Sequence, residues 1–347
     1  MKTIAVMTPN HLELIDVPKP KVKPFTALVK TIAAGICGSD AKIIHGTFKD
    51  IHEYPCLLGH EAVGRVVEVG EGCEAFQVGD LVMLPYHMSD LPEGISSYWG
   101  GFSEYGLVYD YKAMIKSGHG PGTPDWFDFY YVMRKLPDDF DPINGVMLVT
   151  LREVLAACKH FGFDTGESIA IFGAGPVGLA FVKFCKILGL GPIICVDILE
   201  EKREEALKQG ADYFINSREE DPVKAIRAIC PDGVRYVLDA VGVNALINTG
   251  MELIASNGKI LVYGVSPKLD MQLDWSKAPY NWSLELFQFP IKYNEGLVTD
   301  QLVHWIELGY LNPRDFVSHI FPLAEWQKGF EIMEKRLPSK KMVITFE

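Results

Sequence analysis

The sequence predicts an α/β protein in two parts, an irregular, mainly β region and a doubly wound parallel sheet. Two rhythms in its 347 residues point to this fold. In residues 1–144, short runs rich in β-branched and aromatic residues alternate with Gly and Pro turns. In residues 145–295, continuous apolar strands alternate with helical segments, the pattern of a sheet covered on both faces. The length exceeds a usual single core, so two domains are expected. They are 1–144, completed by the tail 296–347, and 145–295.

In the first region the strands are read in "TIAVM", "FTALVKTIAAG", "AVGRVVEVG", "DLVMLPY" and "GFSEYGLVYD". The second begins with the strand "SIAIFG", the helix "GPVGLAFVKFCKILG", the strand "PIICVD" and the charged helix "EEKREEALKQG". It continues with "DYFIN", the helix "PVKAIRAIC", and the strands "VRYVLDAVG" and "GKILVYGV". The tail carries the helices "VTDQLVHWIEL" and "LAEWQKGFEIMEKR" and the strand "KMVITFE". One stretch, Tyr111 to Met133, is rich in Gly and Pro and then in aromatics: Trp126, Phe127, Phe129, Tyr130 and Tyr131. It reads first as a surface excursion pinned to the core by its rings. The second reading is a cover over a substrate pocket or a subunit contact.

Net charge is −12, and no basic cluster is interleaved with aromatics, which argues against a nucleic-acid partner. No apolar run is long enough to span a bilayer, and the start lacks the apolar core of a signal peptide. Seven scattered cysteines, never as CxxC, fit free thiols in a reducing cytoplasm, so a cytoplasmic location is expected.

The turn "FGAGPVGLAF" places Gly173, Gly175 and Gly178 as a GxGxxG between a strand and a helix, with Pro176 and Val177 opening the helix. Such a turn brings a pyrophosphate to a helix N-terminus. A second strand ends in Asp197, about twenty residues on, where a carboxylate accepts hydrogen bonds from ribose hydroxyls and repels a 2′-phosphate. NAD is therefore the expected cofactor, and Arg203 is assigned to the same pocket.

Earlier, "GICGSD" supplies Cys37, Ser39 and Asp40, and "LGHEAVG" sets His60 and Glu61 among Leu57, Leu58, Ala62, Val63 and Val66. A polar pair in apolar surroundings needs a partner that repays its desolvation, and a metal ion is one. Together with "VGDLVML", "GGFSEY", "FGAGPVG" and "LDAVG", these motifs resemble the zinc-dependent medium-chain dehydrogenases of alcohols, sorbitol and sugars. The likeness covers nearly the whole chain.

The resemblance implies a GroES-like catalytic domain, a Rossmann domain binding NAD, and one catalytic zinc. Carried over by motif, Cys37 and His60 are zinc ligands and Glu61 is the adjacent carboxylate. Ser39 matches the hydroxyl that releases the alcohol proton, and Asp40 the residue that orients the zinc histidine. Two departures stand out. The stretch "PYHMSDLPEGISSYWGG" has no cysteine where many relatives bind a structural zinc, so none is expected. Val149 occupies the position of a further ligand, leaving Cys37, His60 and Glu61 as the expected set and Glu153, one helical turn on, as a candidate additional ligand. Relatives often carry a proton-relay histidine where this chain has Lys42, and His45 is the nearby alternative.

The reading is a zinc- and NAD-dependent oxidoreductase for a secondary alcohol or its ketone, of polyol or sugar type. By family analogy it forms a homodimer or homotetramer, joined near Leu284 to Phe289. A zinc-free NAD(P)H-dependent reductase and a non-catalytic NAD-binding sensor are the alternatives.

Overall fold

The long strand Thr26–Ile36 organises the first part of the chain. In the computed structural model, which describes residues 1–268, 270–335, 337 and 340–346, this strand pairs with Ala62–Val69 on one side. Lys341–Thr345 and Tyr105–Tyr109 pair with successive stretches of it, all antiparallel. Leu81–Met83 and Val317–Pro322 complete a six-stranded sheet. A second sheet of four strands runs in the order His11–Asp16, Lys2–Thr8, Cys56–Leu57 and Ser96–Ser97. Ile4, Val6, Ala34, Ile36, Leu58 and Phe102 meet Trp326 and Phe330 of the tail helix Trp326–Glu334 in one buried cluster. Burial of such residues, at roughly 25 cal/mol per Å², is what draws the distant tail back onto this region.

The second part is a six-stranded, all-parallel sheet. Its order is Tyr213–Asn216, Ile193–Asp197, Ile169–Phe172, Val234–Asp239, Ile254–Val262 and Trp282–Leu286. Numbered along the chain this is 3-2-1-4-5-6, the doubly wound order whose reversal point lies beside the first strand. Both faces of the central strands are buried, which explains their unbroken apolar sequences.

By compactness the first unit is Met1–Thr150, Lys292–Asp300 and Asn312–Glu347, and the second Leu151–Ile291 and Gln301–Leu311. The division at 150 falls inside the helix Pro142–Phe161, so the change in sequence rhythm and the change in packing are six residues apart. Residues 301–311 pack with the second unit.

The strands and helices expected from periodicity are present. The charged segment at 200–210 divides into a 3₁₀ turn, Glu200–Lys202, and the helix Arg203–Gln209. The helix expected from Val298 starts earlier, at Lys292. Arg336 and Glu347, which end two of the expected elements, lie outside the described residues. Cys56–Leu57 and Ser96–Ser97 are too short to show a period and were not legible. No helix among the described residues is long and apolar enough to cross a membrane.

Candidate metal centre and cofactor cradle

Strand Thr26–Ile36 hands over at Cys37 (φ −116°, ψ 157°) to the short helix Gly38–Ile44. The Cys37 N–H donates to Asp40 Oδ2 at 2.8 Å, fastening the first turn. Ser39 sits in that turn with its Oγ 3.8 Å from Cys37 Sγ. The helix is short because its work is local: it turns three functional side chains back toward the end of one strand.

Glu61 and His60 stand just before the neighbouring strand Ala62–Val69. The Gly35 N–H donates to the Glu61 carbonyl at 2.9 Å, which sets this register. On the other side of Thr26–Ile36, Met342 pairs with Ile36, so Lys341 falls at the same end of the sheet. Lys341 Nζ reaches both Glu61 oxygens, at 2.7 and 2.6 Å, and Thr150 Oγ1 donates to Oε1 at 2.9 Å. Gly35 makes room for this pair: a Cβ there would lie 2.5 Å from Glu61 Oε2 and 3.2 Å from Lys341 Cδ. Burial raises the Glu61 pKa, but the Lys341 ammonium, His60 and these hydrogen bonds bring it below its ordinary value.

Cys37, His60 and Glu61 each offer a ligand atom within 4.8 Å of the others, the one such group among the described residues. His60 Nδ1 lies 3.7 Å from Asp40 Oδ1, and both atoms are buried without a hydrogen-bond partner. Burial pushes the Asp40 carboxyl up to about 6, against the pull of His60. For His60 burial opposes the charged ring, yet Cys37, Asp40 and Glu61 outweigh it and push its pKa up to about 10. The pocket therefore favours positive charge. A cysteine sulfur, a histidine ring and a carboxylate converging in such a pocket match the donor set that zinc takes.

Val149 is buried on the helix Pro142–Phe161, immediately before Thr150. Glu153 lies on the part of that helix assigned to the second unit and is not a member of the three-residue group. His45 pairs with Asn10 Oδ1 at 2.7 Å and Glu334 Oε1 at 3.2 Å. Lys42 is half-buried, and burial lowers its pKa while Cys37 raises it. Sequence reasoning missed Lys341 and Thr150. A lysine opening a strand and a threonine in an apolar helix carry no sign of their use until the sheet register is known.

In the second unit Gly173 has φ +105°, a conformation that favours glycine, and a Cβ on Gly178 would lie 1.8 Å from the Gly173 carbonyl oxygen. Gly175 differs, since a Cβ there would meet nothing within 4 Å, so the space above it is open. Pro176 and Val177 begin the helix Pro176–Ile187 behind this turn. Asp197 ends its strand and binds the glycine turn, with Oδ2 accepting from the Ala174 N–H at 2.6 Å. Arg203 is held by Glu200, by the Phe214 carbonyl at 3.0 Å and by the Phe214 ring at 4.8 Å. This geometry fits a dinucleotide: open space over the turn, a helix N-terminus behind it, and a carboxylate at the end of the adjacent strand.

Comparison with known proteins agrees with both units. Residues 23–117 match the model of the alcohol dehydrogenase GroES-like domain, and residues 176–286 that of the zinc-binding dehydrogenases. An alcohol dehydrogenase of Geobacillus stearothermophilus is 30% identical over 76% of this chain and 76% of its own length. A D-xylulose reductase of Saccharomyces cerevisiae is 28% identical over 95% of this chain and 93% of its own. Among solved structures, the alcohol dehydrogenase TADH from Thermus sp. ATN1 superposes with a TM-score of 0.80 at 25% identity, covering 100% of both chains. The chain belongs to the zinc-dependent medium-chain dehydrogenase family.

Proposed function

We propose that the chain oxidises a secondary alcohol of the polyol or sugar type with NAD, and reduces the matching ketone, at a site holding one zinc. The observation that carries this reading is the convergence of Cys37, His60 and Glu61 within 4.8 Å, with Ser39 beside the thiol. Similarity to the D-xylulose reductase supports the polyol class.

Zinc, held by Cys37 Sγ, the His60 ring and one Glu61 oxygen, would supply Lewis-acid polarisation of the substrate hydroxyl, and NAD the hydride acceptor. The chain's own groups do the rest. Ser39 Oγ accepts the hydroxyl proton and releases its own to solvent, with Lys42 one helical turn further along Gly38–Ile44. Asp40 Oδ1 faces His60 Nδ1 at 3.7 Å, and closing that gap to a hydrogen bond would select the tautomer that leaves Nε2 for the metal. Lys341 and Thr150 hold the Glu61 carboxylate in place. At the cofactor, the backbone at Gly173, Gly175 and Gly178 receives the pyrophosphate, and Asp197 accepts from the ribose hydroxyls. Arg203 supports that edge through Glu200.

An edge of the sheet supports the reading of a subunit contact. Trp282–Leu286 is an edge strand of the parallel sheet, and Trp275, Tyr280, Leu286 and Phe289 around it are exposed. Pairing of this edge with its copy in a homodimer covers those side chains.

A panel of polyols and sugars scored for NADH formation tests the activity; silence toward every alcohol points to a non-catalytic NAD binder. One observation favours a zinc-free reductase as the second reading, namely that the Lys341 ammonium already neutralises Glu61. Metal analysis separates the two.

A further inference from the structure

The ring of His60 does not stand alone. Trp99 lies beside it, with ring centroids 5.2 Å apart and planes at 57°. Phe129 packs on Trp99 at 5.7 Å, and Phe127 stacks on Phe129 at 4.8 Å and 20°. Tyr86 is buried behind, 6.0 Å from Phe129, and Lys292 Nζ sits 4.6 Å from the Phe129 centroid. All six residues belong to the first unit. Trp99, Phe127 and Phe129 are only partly buried.

Two features set this wall apart from ordinary core packing. Trp99 has φ +71°, a left-handed backbone that a bulky side chain rarely adopts. Its carbonyl is fixed there by the His87 N–H at 2.8 Å. Strain of this kind persists where the surroundings impose it, and it concentrates at ligand sites. The second feature is the origin of Phe127 and Phe129. They come from the aromatic end of the segment 111–133, in which the ring of Tyr130 is buried and stacked on Tyr109 at 4.1 Å. The segment is pinned by Tyr130 and presents Phe129 toward the Trp99–His60 pair.

We propose that Trp99 and Phe129 form a stacking wall beside the metal histidine that selects ring-shaped polyhydroxy substrates, cyclic sugars or cyclic polyols, over open-chain polyols. The π face of an aromatic ring carries negative charge, and the C–H bonds on the flat side of a saturated sugar ring are weakly positive. A closed ring offers that flat side as one rigid surface. An open chain must be straightened and ordered to offer the same, at a cost in conformational entropy. The polyhydroxy class rests on the function proposed above; the ring shape rests on the wall.

The test compares myo-inositol, a linear hexitol and benzyl alcohol as substrates of the zinc-loaded protein, with wild type, Trp99→Ala, Trp99→Phe and Phe129→Ala. The expected result is a kcat/KM for the ring about tenfold above that for the hexitol. That ratio should fall toward one in Trp99→Ala and Phe129→Ala through KM, and be largely restored in Trp99→Phe. Tryptophan fluorescence gives a second readout without turnover: titrating myo-inositol into wild type should change the emission, and Trp99→Phe should abolish the change. Binding seen this way without NADH formation would keep the wall and sink the dehydrogenase reading. A wild-type preference for the hexitol or for benzyl alcohol, or an equal loss for ring and chain in Trp99→Ala, overturns the proposal.

Discussion

Lys341 Nζ lies 2.7 and 2.6 Å from the two oxygens of Glu61, with both side chains almost fully buried. A buried ion pair of this geometry gains little over an apolar pair, but removing one partner is costly because the other charge is left uncompensated. Lys341→Met should therefore destabilise the metal-free protein by about 3–5 kcal/mol. Lys341→Met/Glu61→Gln should recover much of that loss. Urea unfolding of the three proteins checks this. Added zinc should restore part of the stability of Lys341→Met, since a cation at Cys37 and His60 replaces the missing ammonium.

Glu61 and Glu153 divide the question of the third ligand. Glu61→Gln should weaken zinc binding by roughly a hundredfold, whereas Glu153→Gln should retain zinc and chiefly affect rate. Zinc content after dialysis against a weak chelator reads this directly. Loss from Glu153→Gln with retention in Glu61→Gln transfers the ligand role.

Asp197 carries cofactor choice. NAD should bind at least about tenfold more tightly than NADP, because a 2′-phosphate at the strand end meets a fixed carboxylate. Asp197→Ala should narrow the gap. It should also cost about 1 kcal/mol of stability, since the Ala174 N–H loses its 2.6 Å acceptor. Calorimetric titration of both nucleotides against both proteins is the measurement.

His87 predicts an acid limit. Its ring is fully buried, and neither nitrogen has a hydrogen-bond partner. Burial pushes its pKa down to about 4, with Asp90 pulling weakly the other way. The ring is thus neutral in the fold but charges in the unfolded chain below about 6.5. The stability contribution is complete above that pH and is lost as pH falls toward 4. The span corresponds to about 3 kcal/mol. His87→Leu should flatten this part of the stability–pH curve. An unchanged slope contradicts the assignment.

Much of this was legible in the residues. Cys37, Ser39 and Asp40 lie within one turn, and His60 and Glu61 are adjacent, so motif and geometry coincide. Gly173, Gly178 and Asp197 were legible for the same reason, since one strand–turn–helix–strand unit contains them. Lys341 was not, because it is 280 residues from Glu61 and the two meet only through the register of the sheet. Trp99 and Phe129 were hidden similarly, as the sequence shows an aromatic run and not which ring turns toward His60. Arg203 was assigned to the cofactor pocket with Asp197, and its guanidinium is engaged with Glu200 and Phe214.

The most direct measurement is the rate of alcohol-dependent NADH formation as a function of zinc occupancy, set by graded chelation and readdition. If Cys37, His60 and Glu61 hold the working metal, the rate falls in proportion to zinc, reaches zero with it, and returns as the site refills to one zinc per chain. Full turnover in protein shown by metal analysis to contain no zinc would contradict a metal role for the cluster.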